Sequence, residues 1–475
     1  MTTSFPSLTV RADTLVPRGS FAEAQAAFLS PDPALVRSLA ERCAATSTGI
    51  VAHFYMDAEL QGALVAVGAP HTFIADSLQM ADVAVKMAEA GKKHIVVLGV
   101  DFMSENVRAV LDSAGHADVV VYRATSRAIG CSLAESAEHP AYFDWLAERA
   151  QAPSALHVVY INTSLLTKAR AHAIVPTLTC TSSNVVQSLL QAKAQIPEVS
   201  IAYGPDTYMG GNLHTMLTQF AGLPEAQLRA LHPEHDQRTV LELLERFTYF
   251  RQGTCMVHHL FGDDVVRRVK AEHPDALLTA HLEVPGEMFA LAVEAQRHGR
   301  GVVGSTSNIL GFITAAVDRA ADAGGPAHVP VVLGTESGMI TSIVTQVQQK
   351  LRARGRSDVE VEIVFPVASE AVAQDPGSVL RLVPGVAGGE GCSVAGGCAT
   401  CPYMKMNDLA ALEGVLERIG TPREAELASH PPKVYTERVN GRTVADLGRE
   451  PILHMRTFQR TGRLPDALVA DVRGR

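Results

Sequence analysis

The residues best suited to do chemistry in this chain are cysteines set far apart. There are seven: Cys43, Cys131, Cys180, Cys255, Cys392, Cys398 and Cys401. Cys131 lies in AIGCSLAES, Cys255 in GTCMVHH, and the last three in EGCSVAGGCATCPYMKMN. A disulfide framework suits a short secreted chain, whereas in 475 residues these cysteines read as thiols or metal ligands. Three thiolates around a metal with one open position make a catalytic arrangement, because the open position can take substrate. The C-x5-C-x2-C spacing at the end leaves structural zinc and a redox disulfide as rival uses. Four-cysteine structural zinc is the main rival, weakened because the remaining cysteines stand singly and not as a second CxxC. Cys43 and Cys180 read as small buried hydrophobes.

Polar residues recur at matching places in three segments. His53 and Tyr55 end the run GIVAHFYMD, Tyr160 and Asn162 end HVVYINTS, and His281 and Glu283 end ALLTAHLEVP. After each comes a Ser/Thr-rich helix start: Asp76 and Ser77, then Thr181, Ser182 and Asn184, then Ser305, Thr306 and Ser307. A second apolar run then closes in Gly plus an acid: Gly99 and Asp101, Gly204 and Asp206, Gly334 and Glu336. This is an internal repeat, and its apolar runs read as buried parallel strands between helices. Ligands bind beyond the carboxyl ends of such strands. A single Ser-rich helix start is most often only a cap. Three of them, each beside polar strand ends, predict a pocket for a small polyanion. One cysteine at each unit boundary suits a metal where the units meet.

The elements that must position these groups follow from the same grammar. The expected fold is α/β: three similar αβα domains with parallel sheets around a pseudo-threefold axis, and the active site at their junction. Expected boundaries are an N-terminal extension over 1–40, α/β domains over 41–135, 136–255 and 256–400, and a cluster-ligand segment with C-terminal extension over 401–475. SFAEAQAAFL reads as a short docked helix. Leu15 to Ser20, LVPRGS, looks like an engineered protease site and is taken as coincidence. A small hairpin is expected from Val434–Val439 and Thr443–Val444 across Asn440-Gly441, within a charged region, 420–475, expected to cover the pocket or form an oligomer contact.

Bulk properties exclude some classes. The net charge of −9 and the lack of a basic block argue against nucleic acid or an anionic membrane as partner. No run approaches the roughly 20 apolar residues of a membrane span. The N-terminus shows no basic-then-apolar signal pattern, so a cytoplasmic location is expected.

Taken together, AHFYMD, ADSLQMA, GVDFMSE, GCSLAES, VVYINTS, CTSSNVV, YGPDTYMG, CMVHH, AHLEVP, GSTSN, GTESGM and GGCATCPYMKMN resemble quinolinate synthases, in the family's order over roughly residues 40 to 410. The wording is similar to the longer branch found in some bacteria and plants. The resemblance implies condensation of iminoaspartate with dihydroxyacetone phosphate to quinolinate in NAD biosynthesis, with loss of phosphate and two waters. It implies a 4Fe-4S cluster held by Cys131, Cys255 and Cys401 with one open iron. Cys392 and Cys398 resemble the accessory cysteines of some members. Glu283, Tyr55 and His53 are the expected catalytic residues. His53, Ser77, Tyr160, Asn162, Ser182, His258, His281, Glu283 and Thr306 are expected to bind substrate, and the family pattern selects His258 over His259. Functional coupling to L-aspartate oxidase is a further expectation. Two rival readings are a cluster-dependent hydratase and a non-enzymatic zinc-binding scaffold.

Overall fold

The computed structural model describes residues 4–255, 257–366 and 401–475. Cys392 and Cys398 lie outside the described residues. The chain opens with β1 (Ser7–Val10) and β2 (Leu15–Arg18). Three groups of four strands follow. The first is β3 (Thr48–His53), β4 (Thr72–Ala75), β5 (His94–Leu98) and β6 (Val120–Arg123). The second is β7 (Ala155–Tyr160), β8 (Thr177–Cys180), β9 (Ser200–Gly204) and β10 (Phe247–Tyr249). The third is β11 (Leu277–His281), β12 (Gly301–Gly304), β13 (Ala327–Val332) and β14 (Val359–Val364).

Each group forms its own parallel sheet, and all three use one strand order. The sheets run β4-β3-β5-β6, β8-β7-β9-β10 and β12-β11-β13-β14. Every residue of β3 and β7 is buried, as expected where helices cover both faces of a parallel sheet. In this order the winding reverses beside the first strand of each group. A crevice therefore opens beyond the carboxyl ends of β3, β7 and β11.

The third sheet carries an addition. β1 pairs antiparallel with β14, Ser7 opposite Val364, and β2 pairs with β1. The expected N-terminal extension thus holds two strands as well as the docked helix, which is present at Ser20–Phe28. Leu15–Arg18 of the LVPRGS stretch is the edge strand β2. Pro17 is tolerated there because an outer strand need not donate on its free side. One hydrophobic core runs through the first and second sheets, and another joins β1, β13 and β14 to the helices Thr306–Asp322 and Ile340–Ala353.

The small hairpin is present as Arg438–Val439 against Arg442–Thr443. Asn440 and Gly441 both have positive φ, 49° and 78°, as a two-residue turn of this hand requires. It leads into the helix Val444–Thr461, which packs on Leu165–Ile174 of the second unit. Among the described residues, no helix is long and apolar enough to cross a membrane.

Candidate active site

His53, Tyr160 and His281 are the last residues of β3, β7 and β11. Two residues later come Tyr55, Asn162 and Glu283. The second strands β4, β8 and β12 lead to Ser77, Ser182 and Thr306. All nine side chains line one cavity together with His258 and the three cysteines Cys131, Cys255 and Cys401. No residue of 420–475 is among the described lining residues, so the expected cover over the pocket is not found there: His430 and Glu424 bond to Arg123 and Tyr122 of the first unit, and the helix Val444–Thr461 packs on the second. His259 points elsewhere: its ring stacks on Tyr208, with centroids 5.9 Å apart.

The helix starts differ in detail. Asp76 caps the helix Ser77–Glu89 by accepting from Leu78 N and Gln79 N, and Ser305 forms a capping box with Asn308. In the second unit Asn184 Oδ1 accepts from Thr181 N instead. The helix there begins only at Val185, so Ser182 sits in the turn before it and not at its first residue.

The strand-end histidines share a local bond. Tyr55 N donates to His53 Nδ1 at 3.2 Å, and Glu283 N donates to His281 Nδ1 at 3.4 Å. A ring nitrogen that accepts carries no proton, which assigns the hydrogen to Nε2 in both rings. Burial pushes His53 down to about 3 and His281 down to about 4, so both are neutral near pH 7. The 3.6 Å approach of His281 to Glu283 is therefore no ion pair at that pH.

Glu283 is buried at the centre of the cluster. The Tyr160 hydroxyl donates to its Oε1, and His258 Nδ1 lies 3.3 Å from its Oε2. Burial alone raises this carboxyl. His258, His281 and the Tyr160 hydroxyl outweigh burial and bring it down to about 2. With His281 neutral, the Tyr160 hydroxyl still draws it down near pH 7. Tyr55 and Tyr160 are held well above the usual phenol range, first by burial and then by Glu283, so both stay protonated. With Nδ1 turned toward Glu283, Nε2 of buried His258 has no hydrogen-bond partner among the described residues and is the ring atom open to a ligand.

The three cysteines test whether a metal group fits. They come from separate stretches of chain: Cys131 before the helix Ser132–Glu138, Cys255 before the turn His258–Leu260, and Cys401 before Met404–Met406. Burial is the main cause that raises all three thiols, Cys131 to about 11 and the others well above 9. The charged neighbours that raise them further are acidic, Glu283 and Glu336 among them. A thiolate needs positive charge, and here a bound metal would have to supply it. Backbone N–H groups of Leu133 and Ala134, of His258, and of Tyr403 and Met404 face the three sulfurs. The donor set therefore fits a thiolate-held iron–sulfur group. A second donor set overlaps it: ligand atoms of Cys255, His258 and Glu283 lie within 4.8 Å of one another.

Several lining residues have no role legible in the sequence, and one of them is a buried acid. Glu336 lines the cavity with both carboxyl oxygens buried and without aligned partners among the described residues. Its place was flagged by the Gly-plus-acid ending of β13, but that pattern carries no hint of function.

Residues 36–431 match the family described as quinolinate synthetase A protein. A chloroplastic quinolinate synthase of Nicotiana tabacum is 52% identical over 98% of this chain and 67% of its own length. One of Arabidopsis thaliana is 50% identical over 98% of this chain and 67% of its own length. A quinolinate synthase of Methanopyrus kandleri is 27% identical over 81% of this chain and 93% of its own. The chain thus spans about two thirds of the length of the plant proteins. These names overturn the expected cytoplasmic location: the plant relatives are called chloroplastic, and the lack of a signal-like pattern was too weak a reason to assign a compartment. A family match across most of the residues, with relatives at about half identity, means that the chain belongs to the quinolinate synthase family.

Proposed function

We propose that the chain's quinolinate synthase activity joins iminoaspartate to dihydroxyacetone phosphate in the cavity at the ends of β3, β7 and β11, with a 4Fe-4S cluster held by Cys131, Cys255 and Cys401. The observation that carries this reading is the meeting of three thiols from three stretches of chain on one cavity with Glu283. When bound, such a cluster leaves one iron open to act as a Lewis acid without redox change.

The chain's own groups supply the rest. Glu283, kept as a carboxylate, removes protons from carbon as the ring forms. Tyr55, protonated at rest, passes its proton to a departing hydroxyl and regains one that Glu283 has taken from carbon, so the proton leaves with the water. Its ring lies 4.8 Å from that of His53, which orients it and offers Nε2–H to a substrate oxygen. His281 offers the same donor from the third unit. Ser77, Asn162, Ser182 and Thr306 anchor the two carboxylates and the phosphate through hydroxyls, an amide and nearby helix N-termini. Loss of phosphate and two waters then yields quinolinate. Supply of iminoaspartate by L-aspartate oxidase belongs to the same proposal.

A second reading is favoured by one observation. Cys255, His258 and Glu283 are close enough to share a single ion, and sulfur, nitrogen and oxygen donors together suit zinc. One experiment separates the two. The protein is purified without oxygen, its metals are counted, and both substrates are supplied. About four irons per chain and quinolinate detected by mass are expected. Cys131→Ala, Cys255→Ala and Cys401→Ala should each lose iron and product. Zinc in place of iron, or full iron in Cys131→Ala, would remove the cluster reading.

A further inference from the structure

Three buried side chains repeat one device behind the cavity. Gln61, in the helix Ala58–Val67, directs Nε2 at Phe54 O and Met56 O, each 2.8 Å away. Lys168, in Leu165–Ile174, directs Nζ at Ile161 O, 3.2 Å away, and at Thr163 O. Asn212, in Thr207–Ala221, directs Nδ2 at Leu282 O and Val284 O, at 2.9 and 2.8 Å. In every case the two carbonyls belong to the residues just before and just after one cavity residue. Those residues are Tyr55, Asn162 and Glu283, each two positions beyond the end of the first strand of its sheet.

The consequence is mechanical. Two carbonyls tied to a single nitrogen fix the backbone on both sides of the residue between them. That residue cannot turn without breaking a buried hydrogen bond and leaving a carbonyl unmet. Gln61 and Lys168 are fully buried, Asn212 is 2% exposed, and none of the three lines the cavity. Two of the ties also cross between units. Gln61 Nε2 reaches Gly338 O of the third unit at 2.7 Å, and Asn212 belongs to the second unit while its acceptors follow β11. With only two hydrogens for three carbonyls, Gln61 shares one of them. Lys168 has Glu105 for counter-charge, and Glu105 also accepts from Leu165 N at 2.8 Å and from the Tyr435 hydroxyl at 3.0 Å.

We propose that Gln61, Lys168 and Asn212 are positioning residues that aim Tyr55, Asn162 and Glu283 into the cavity. The inference rests on the roles given above to those three. The plain alternative is that each only satisfies buried carbonyls and adds stability.

Gln61→Met, Lys168→Met and Asn212→Leu keep most of the volume and remove the donors. Rates are measured on iron-loaded protein and expressed per iron. Gln61→Met and Asn212→Leu should lower kcat by about tenfold to a hundredfold, the size expected when a reacting group is misplaced, with KM moved less. Lys168→Met should mainly raise KM, because Asn162 binds and does not react, and Lys168→Arg should recover most of the loss. Thermodynamic cycles decide the matter. Asn212→Leu added to Glu283→Gln, and Gln61→Met added to Tyr55→Phe, should change kcat by less than about twofold. Full multiplication of the two losses would overturn the proposal. Should one variant fail to fold, the other two positions carry the same test. If Glu283→Gln and Tyr55→Phe alone leave kcat unchanged, the assignment of catalytic roles fails, an outcome distinct from failure of the positioning idea.

Discussion

The Tyr160 hydroxyl donates to Glu283 Oε1, tying the end of β7 in the second sheet to the loop after β11 in the third. Both side chains are buried, so the bond works in a medium where an unmet carboxylate is costly. Tyr160→Phe removes the donor and keeps the ring. The expected result is a fall in kcat/KM of about tenfold to a hundredfold, in line with about 1.5–3 kcal/mol for a hydrogen bond to a charged group. Steady-state rates at saturating and limiting dihydroxyacetone phosphate would check it. An unchanged kcat/KM would mean that this bond does not support the reaction.

Gly338 marks how closely the first and third units approach. A Cβ there would lie 2.7 Å from Phe54 O and 2.9 Å from Tyr55 Cα, both backbone atoms that cannot swing aside. Gly338→Ala should therefore displace the Tyr55 turn, with a stability loss of about 1–3 kcal/mol and a larger loss of kcat than of substrate affinity. Melting curves and rates on the same sample separate the two effects.

His157 should make the fold acid-sensitive. It is fully buried between the Tyr142 hydroxyl, 2.9 Å from Nε2, and Thr177 Oγ1, 3.3 Å from Nδ1. Burial first, and His172 second, lowers it from 6.5 to about 3. Below pH 6.5 the unfolded chain takes up a proton that the folded chain refuses. Stability is thus full above 6.5 and is lost as pH falls toward 3. The slope is about 1.4 kcal/mol per pH unit, or about 2 kcal/mol by pH 5. Urea unfolding at pH 7.5 and pH 5 should show a smaller acid loss in His157→Gln than in the unchanged chain. Equal losses would mean that His157 protonates without cost.

The strand ends of this fold are legible in sequence because their chemistry is local. A β-branched run that stops in His53, Tyr160 or His281 announces both a buried strand and a polar mouth within ten residues. The recurrence of that pattern anticipates the shared strand order. The pairing of β1 with β14 is invisible by the same standard, since Ser7 and Val364 share no local pattern. Gln61, Lys168 and Asn212 read only as polar residues in helices, because nothing beside them names the carbonyls they hold. Asn184 shows the opposite failure. Its sequence context matches a helix cap, but its amide is spent on Thr181 N and the helix starts late.

Gly448 sets the seating of the C-terminal helix. A Cβ at this position would come within 2.3 Å of Leu165 O, at the start of the helix that bears Lys168. Gly448→Ala should lift Val444–Thr461 off that helix and lower the melting temperature by several degrees, consistent with about 1–3 kcal/mol of overpacking. Limited proteolysis should then cut near the hairpin at Asn440-Gly441 sooner than in the unchanged chain. An identical cleavage pattern would show that the helix tolerates the shift.

The place of β1 and β2 on the outside of β14 also bears on biosynthesis. These strands leave the ribosome well ahead of their partner, which is not complete until residue 364. At about 5–20 residues per second, the wait is on the order of half a minute. Throughout that time the apolar face of Leu8 and Val10 has no sheet to join, while the first and second sheets, whose partners are all near in sequence, can already close. Order of birth and order of assembly therefore run in opposite directions at this edge. A nascent chain halted before β14 should display β1 and β2 to a chaperone or protease, and one that includes β14 should hide them.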